Sequence, residues 1–165
     1  MKQNIAIVIS LVLVLLLFVF GGKIAGSNAG GEGSASANVD RLPRELCVNH
    51  DSTISMHIHP ELTIFVDDES VPIPANIGID EACMRALHTH DATGEIHIEY
   101  PETHDFTLGD FFANWGQSFS ATQLFEHVAD EEFGLRMTVD GKESSEFENL
   151  VLTDGQKIVI YFEAM

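Results

Sequence analysis

Residues 86–100 of this chain read ALHTHDATGEIHIEY. Two runs of alternating apolar and polar residues flank the turn residues DATG, and this pattern is typical of a β-hairpin. A four-residue loop places His88 opposite His97 and His90 opposite Glu95. Residues two apart on a strand point to the same face. One face then holds His88, His90, Glu95, His97 and Glu99, and the other holds Leu87, Thr89, Ile96 and Ile98, which we expect to face the core.

A second His-x-His pair, His57 and His59, lies in the predicted strand 56–59. Each pair places two imidazoles side by side, which suits the binding of one metal ion. If this strand lies next to the hairpin, five imidazoles converge. The predicted metal ligands are therefore His57, His59, His88, His90 and His97, with Glu99 as a further ligand or as a partner that fixes an imidazole tautomer.

The histidine-rich ligand set favours copper or zinc, because calcium and magnesium prefer oxygen ligands. Met56 and Met84 are candidate soft ligands for Cu(I). The other three histidines, His50, His104 and His127, lack the spacing of ligands, and we expect them to be ordinary surface residues.

The rest of the chain predicts an α+β domain with a mixed or antiparallel sheet and one main helix packed on it. Strand patterns occur in residues 62–66, 135–139 and 157–162. The helix begins after Thr107, with Asp110 in the position of a capping box, and its apolar side chains Leu108, Phe111, Phe112 and Trp115 recur at helical spacing. A second short helix or a turn is predicted in residues 120–129.

The residues after Phe106 resemble a β-grasp module. The resemblance consists of a strand, the helix and the run LRMTVDGK at 135–142. It ends with the run LTDGQKIVI at 152–160, which is similar to the ending of ubiquitin-like and sulfur-carrier folds. The chain ends in EAM rather than in the Gly-Gly of a sulfur carrier, so carrier chemistry is not implied.

A wider resemblance covers residues 57–115, with the motifs HIHP, HTHDATGEIHIE and FTLGDFF. It is similar to a family of small exported archaeal and bacterial proteins of uncharacterised activity. The resemblance implies export and a compact unit, and it implies no particular chemistry.

The N-terminal segment predicts export to the outer side of a membrane. Residues 5–20 are almost entirely apolar, and we interpret residues 1–22 as a single-pass membrane anchor or a signal segment. Lys2 predicts that the N-terminus stays in the cytoplasm. Residues 23–38 are rich in Gly, Ser and Ala and form a predicted flexible linker, so the domain comprises residues 39–165, outside the cytoplasmic membrane.

The charge balance restricts the binding partners. Eight Lys and Arg residues against 26 Asp and Glu residues give a formal net charge of −18, which repels a phosphate backbone and argues against nucleic-acid binding. The expected partners are the membrane, through the N-terminal helix, a metal ion, and another exported or membrane protein.

The two cysteines, Cys47 and Cys83, predict one disulfide in an oxidising compartment. The alternative is ligation of a metal by the Cys83 thiolate, since Cys83 lies five residues before His88.

Three classes of function fit these patterns, and the first is a domain that captures or delivers copper or zinc. The second is a zinc-dependent hydrolase or another metalloenzyme. His88, His90 and Glu95 resemble the metal-binding core of cupins, but the flanking glycines and the second cupin motif are missing. The third is a metal-free structural, partner-binding or pH-responsive domain. We expect a binding domain rather than an enzyme.

Overall fold

The computed structural model describes residues 42–48 and 53–165. These residues form three sheets and one α-helix, so the predicted α+β class is confirmed. The helix α1 spans Leu108–Trp115, and short 3₁₀ turns lie at Pro43–Glu45 and Phe147–Asn149. The strands are β1 (Met56–Ile58), β2 (Glu61–Val66), β3 (Glu69–Val71), β4 (Leu87–His88), β5 (His97–Tyr100), β6 (Phe119–Ser120), β7 (Gln123–Leu124), β8 (His127–Val128), β9 (Phe133–Val139), β10 (Lys142–Ser144) and β11 (Lys157–Ala164).

The largest sheet, which we call the main sheet, has the strand order β10-β9-β11-β2-β3. Strand β11 runs parallel to β2, and the other neighbouring strands are antiparallel, so the sheet is mixed. A parallel pair needs a long connection, and here the connection between β2 and β11 contains the helix and the hairpin of β4 and β5. The module after Phe106 is therefore incomplete by itself, because β2 and β3 precede it in the chain.

A smaller sheet with the order β1-β5-β4 carries the histidine pairs, and we call it the histidine sheet. All of its strands are antiparallel. Two backbone hydrogen bonds join it to the main sheet: the Leu62 N–H donates to the Gly94 carbonyl and the Ile96 N–H donates to the Pro60 carbonyl, both at 2.9 Å. Gly94 has φ +90°, and a Cβ there would overlap the Leu62 carbonyl oxygen, so this junction requires glycine.

The helix begins after Thr107, as predicted. The Thr107 hydroxyl accepts a hydrogen bond from the Asp110 N–H, the Asp110 carboxylate accepts one from the Thr107 N–H, and Gly116 ends the helix with φ +75°. Phe111 and Phe112 are buried in the core. The same core takes up apolar side chains of the main sheet and of the histidine sheet, so both sheets are held against one helix.

Of the two alternatives predicted for residues 120–129, the turn is confirmed and the second short helix is wrong. Turns at residues 121–122 and 125–126 connect the three antiparallel two-residue strands β6, β7 and β8. The Phe119 ring stacks on the Phe112 ring of the helix at 4.4 Å between centroids, and Leu124 is fully buried. Phe125 has a positive φ of 56°, which a helix cannot accommodate, so packing on the helix decides the local structure.

No helix within residues 42–48 and 53–165 is long and apolar enough to cross a membrane. The predicted membrane anchor at 1–22 and the predicted linker at 23–38 lie outside the described residues.

Candidate metal centre

The hairpin of β4 and β5 has the register that the sequence predicts. Leu87 pairs with Ile98, and His88 pairs with His97. The side chains of Leu87 and Ile98 are fully buried in the core, while the rings of His88 and His97 stack with their centroids 5.5 Å apart. The prediction that these two imidazoles share one face of the hairpin is confirmed.

The ladder of the hairpin is shorter than predicted, because it ends at the pair of His88 and His97. Glu95 forms its β-bridge with Glu61 of the main sheet rather than with His90. The junction at Gly94 causes this difference, since it turns the chain toward β2 directly after the loop.

Strand β1 brings the other histidine pair to the hairpin. It pairs antiparallel with β5, with His57 opposite Glu99 and Ile58 opposite Ile98. Because residues two apart share a face, His57 and His59 lie on the same side of the sheet as His97. The five imidazoles therefore converge on one face, which is the arrangement expected for neighbouring strands.

His97 lies at the centre of this cluster because β5 is the middle strand of the histidine sheet. Its ring centroid is 4.8 Å from that of His59 and 4.6 Å from that of His90. Two groups of three imidazoles offer nitrogen atoms that all lie within 4.8 Å of one another: His57, His59 and His97 form one group, and His88, His90 and His97 form the other. We call them the β1 triad and the β4 triad.

The β1 triad is open to solvent and is flanked by carboxylates. The His57 and His59 side chains are 53% and 35% exposed, and their Nε2 atoms lie 3.1 Å apart. The Glu99 Oε1 atom lies 3.2 Å from His57 Nε2. The Asp154 Oδ1 atom accepts a hydrogen bond from the His59 backbone N–H at 3.0 Å and lies 3.7 Å from His59 Nδ1.

The β4 triad contains one fully buried imidazole, that of His88, and one exposed imidazole, that of His90. The His88 Nδ1–H donates a hydrogen bond to the Arg85 carbonyl at 2.9 Å, because a carbonyl can only accept. This bond fixes the tautomer, so His88 Nε2 has a free lone pair. His88 Nε2 lies 3.2 Å from Nε2 of His90.

Burial keeps the central imidazoles neutral. Desolvation lowers the pKa of His88 from 6.5 to about 4, and the hydrogen bond to Arg85 opposes this shift only in part. Burial also lowers the pKa of His97, and the neighbouring His90 and His59 lower it further. A neutral imidazole is the form that binds a metal ion, so these side chains do not have to lose a proton near pH 7.

The carboxylates near the cluster were predicted only in part. Glu99, which the sequence predicts as a further ligand or as a partner that fixes an imidazole tautomer, lies next to His57 and belongs to neither triad. The Glu95 Oε1 atom lies 3.2 Å from His97 Nε2. The sequence pattern predicts that Glu95 shares the face of the histidines, but Glu95 is not among the predicted ligands. Asp154 lies in the run LTDGQKIVI and is not among the predicted ligands. Its position next to His59 depends on the parallel pairing of β11 with β2, and no local sequence signal indicates that pairing.

Two of the remaining histidines lie outside the cluster, as predicted. The His104 ring packs on Phe106 at 4.5 Å between centroids, and the His127 ring packs on Phe162 at 5.1 Å. His50 lies outside the described residues.

The predicted disulfide between Cys47 and Cys83 is confirmed. Its sulfur atoms are bonded to each other, so the alternative of thiolate ligation by Cys83 is wrong. The disulfide fixes the segment before β4, because Cys47 also forms a β-bridge with Arg85, whose carbonyl orients His88. The candidate soft ligand Met84 lines the same cavity of about 450 Å³ as His90.

Comparisons with protein-family models, with curated proteins and with solved structures give no match for this chain.

Proposed function

We propose that this chain is a membrane-tethered, extracytoplasmic domain that captures or delivers copper or zinc through the five clustered imidazoles. The observation that supports this most directly is the pair of overlapping triads, which place nitrogen ligands of three imidazoles within 4.8 Å of one another in each group. A lone histidine on a sheet is ordinary, whereas two triads sharing one ring bring five imidazoles together, each with one nitrogen atom available to an ion.

The ligand chemistry supports copper or zinc as the cargo. Imidazole nitrogens suit Zn and Cu, and both cysteines are engaged in the disulfide, so the cluster offers no thiolate. The carboxylates of Glu95, Glu99 and Asp154 surround the imidazoles and favour a cation there. The net charge of −18 adds a field that attracts cations from solution.

The exposure of the cluster favours exchange of the ion over permanent storage. The His57 side chain is 53% exposed and His90 is exposed as well, so an ion can enter and leave without unfolding of the domain. A structural zinc site is normally closed by four protein ligands and protected from solvent. This arrangement suits a carrier that passes its ion to another exported or membrane protein.

The proposed location rests on the predicted anchor at 1–22 and on the disulfide. Disulfides persist in oxidising compartments outside the cytoplasm. The mixed main sheet, with a parallel central pair and one helix packed on it, supports the β-grasp-like interpretation of the domain scaffold.

The proposal is tested by titrating the purified full chain, made without a His tag, with copper and zinc in competition with a chelator of known affinity. We expect tight binding that His97→Ala abolishes or weakens at least about tenfold, because His97 belongs to both triads. A matched control is His127→Ala, since His127 and His59 are both 35% exposed and His127 lies outside the cluster. Binding that responds equally to both variants would contradict the proposal, and metal-dependent hydrolysis of ester or peptide substrates would favour the enzyme alternative.

A further inference from the structure

The cluster contains two separate nitrogen pairs rather than one ring of five equivalent ligands. At β1 and the residue after it, the Nε2 atoms of His57 and His59 lie 3.1 Å apart. At the end of β4, the Nε2 atoms of His88 and His90 lie 3.2 Å apart. Two nitrogen atoms that bind one tetrahedral ion at roughly 2.0–2.1 Å are separated by roughly 3.3 Å. Each pair therefore already has the spacing of two ligands on a single ion.

His97 lies between the two pairs and completes each of them. Its ring is edge-on to both neighbours, at 89° to the ring of His59 and at 71° to the ring of His90. It is the one residue common to the two triads. An ion that binds to either pair thus has the same third ligand.

The two triads differ in what surrounds them. The β1 triad is exposed, and Glu99 and Asp154 lie next to its two outer histidines, so it is the side that attracts a cation from solution. The β4 triad contains His88, which is fully buried and held in one tautomer by the Arg85 carbonyl. A ligand fixed in this way loses little freedom on binding an ion, so the β4 triad is the side that retains it.

We propose that the cluster is a two-station site, in which one ion binds first to His57, His59 and His97 and then moves to His88, His90 and His97 without leaving His97. This inference rests on the proposed function, because it describes how the captured ion is held. The two stations share a ligand, so they are occupied in turn.

The transfer is a ligand exchange and needs no oxidant or reductant. The bonds from the ion to the His57 and His59 nitrogens break as bonds to Nε2 of His88 and His90 form, and the bond to the His97 imidazole persists. His88 already has its proton on Nδ1. The exposed His90 takes the Nδ1–H tautomer through solvent, so the number of protons and the charge of the ion are unchanged.

Two double variants of the full chain separate the stations, with zinc or Cu²⁺ as the probe. We expect the variant His57→Ala with His59→Ala to bind one equivalent with a Kd within about threefold of the unmodified chain, and to exchange it with a chelator at least about tenfold more slowly. The variant His88→Ala with His90→Ala is expected to bind one equivalent with a Kd raised at least about tenfold and with fast exchange.

A spectroscopic measurement keeps the inference testable if a double variant folds poorly. X-ray absorption of the zinc-loaded, unmodified chain is expected to show three imidazole nitrogens per ion. Circular dichroism is expected to show that both double variants fold natively. Loss of all binding in both folded double variants, or five imidazoles on one ion, would overturn the two stations in favour of one site. Two ions bound at once would overturn alternate occupancy. A chain that binds neither metal would overturn the proposed function itself.

Discussion

The main sheet and the histidine sheet bury one face each in the same core, but their outer faces are built differently. On the main sheet the outer side chains satisfy one another: Arg136 lies 3.9 Å from the centroid of the Tyr161 ring and forms an ion pair with Glu163 at 2.8 Å. On the histidine sheet the outer side chains are imidazoles whose nitrogen atoms face each other at 3.1–3.2 Å.

This difference distinguishes a surface whose charges are already paired from a surface that could bind a metal ion. The Arg136 guanidinium and the Glu163 carboxylate have opposite charges and a favourable contact, so this face needs no ligand. Facing imidazoles of the same kind have at most one proton to share in each pair, and they repel each other when both are protonated. A metal ion would satisfy both lone pairs at once, and this is the physical basis for proposing a metal site on the histidine sheet.

The largest expected effect concerns the core that the two sheets share. Phe111→Ala removes a fully buried ring of the helix, and we expect it to lower the free energy of unfolding by about 3–5 kcal/mol. Because both sheets pack on this helix, they should unfold together in chemical denaturation. If the histidine sheet kept its protection from hydrogen exchange while the main sheet lost it, the view of a common core would be wrong.

Removal of the disulfide should destabilise the histidine sheet more than the main sheet. Cys47→Ser with Cys83→Ser opens a loop with a sequence separation of 36 residues, which costs about 3–4 kcal/mol in the chain-entropy model. The disulfide holds the segment that orients His88, so we expect the loss of hydrogen-exchange protection to be larger in the histidine sheet than in the main sheet. Equal losses in the two sheets would show that the disulfide stabilises the domain without supporting the cluster.

Acid should weaken the metal-free protein through His88. Its pKa is about 4 in the native state and 6.5 in an unfolded chain, so the unfolded chain binds the extra proton between these values. The free energy of unfolding should therefore fall by about 2–3 kcal/mol as the pH decreases from 6.5 to 4, and this contribution is fully present above pH 6.5. The groups that face the imidazole are His90, His97 and Glu99.

The check on this pH dependence is the difference between the unmodified chain and His88→Gln, measured by denaturant titration at each pH. The difference removes the contribution of the many acidic residues, which both proteins share. Parallel pH profiles for the two proteins would contradict the buried, neutral state of His88.

The smallest expected effect is on metal affinity, and it is measured by replacing one carboxylate on the outer face of each sheet. Glu99→Gln removes the charge next to His57, and we expect it to raise the Kd for zinc or copper only about twofold, because Glu99 contacts the β1 triad and belongs to neither triad. Glu163→Gln on the main sheet is the matched control, because it breaks the ion pair with Arg136 and lies away from the imidazoles. Equal effects of the two substitutions on metal affinity would indicate a general field of the acidic surface instead of a specific contact.

Local patterns predicted the parts of this molecule that depend on neighbouring residues. The alternation around the loop 91–94 gives the register of His88 with His97, and the Thr107 and Asp110 pair gives the start of the helix. Both follow from contacts within about ten residues of each other, where turn and capping chemistry decide the structure.

The features that were missed depend on distant parts of the chain. Asp154 reaches His59 only because β11 pairs with β2, and residues 119–128 form short strands because they pack on the helix rings. The position of β1 next to β5 was an assumption, since no pattern within β1 specifies its partner. Tertiary contacts of this kind override local propensity.

The most direct test of the account is elemental analysis of the full chain, purified without a His tag from the exported fraction of cells supplied with copper and zinc. We expect one equivalent of copper or zinc in the unmodified chain and in His127→Ala, and none in His97→Ala, because His97 is the ligand common to both triads. A chain that contains neither metal, and takes up neither on incubation with an excess of both, would contradict the metal-binding function.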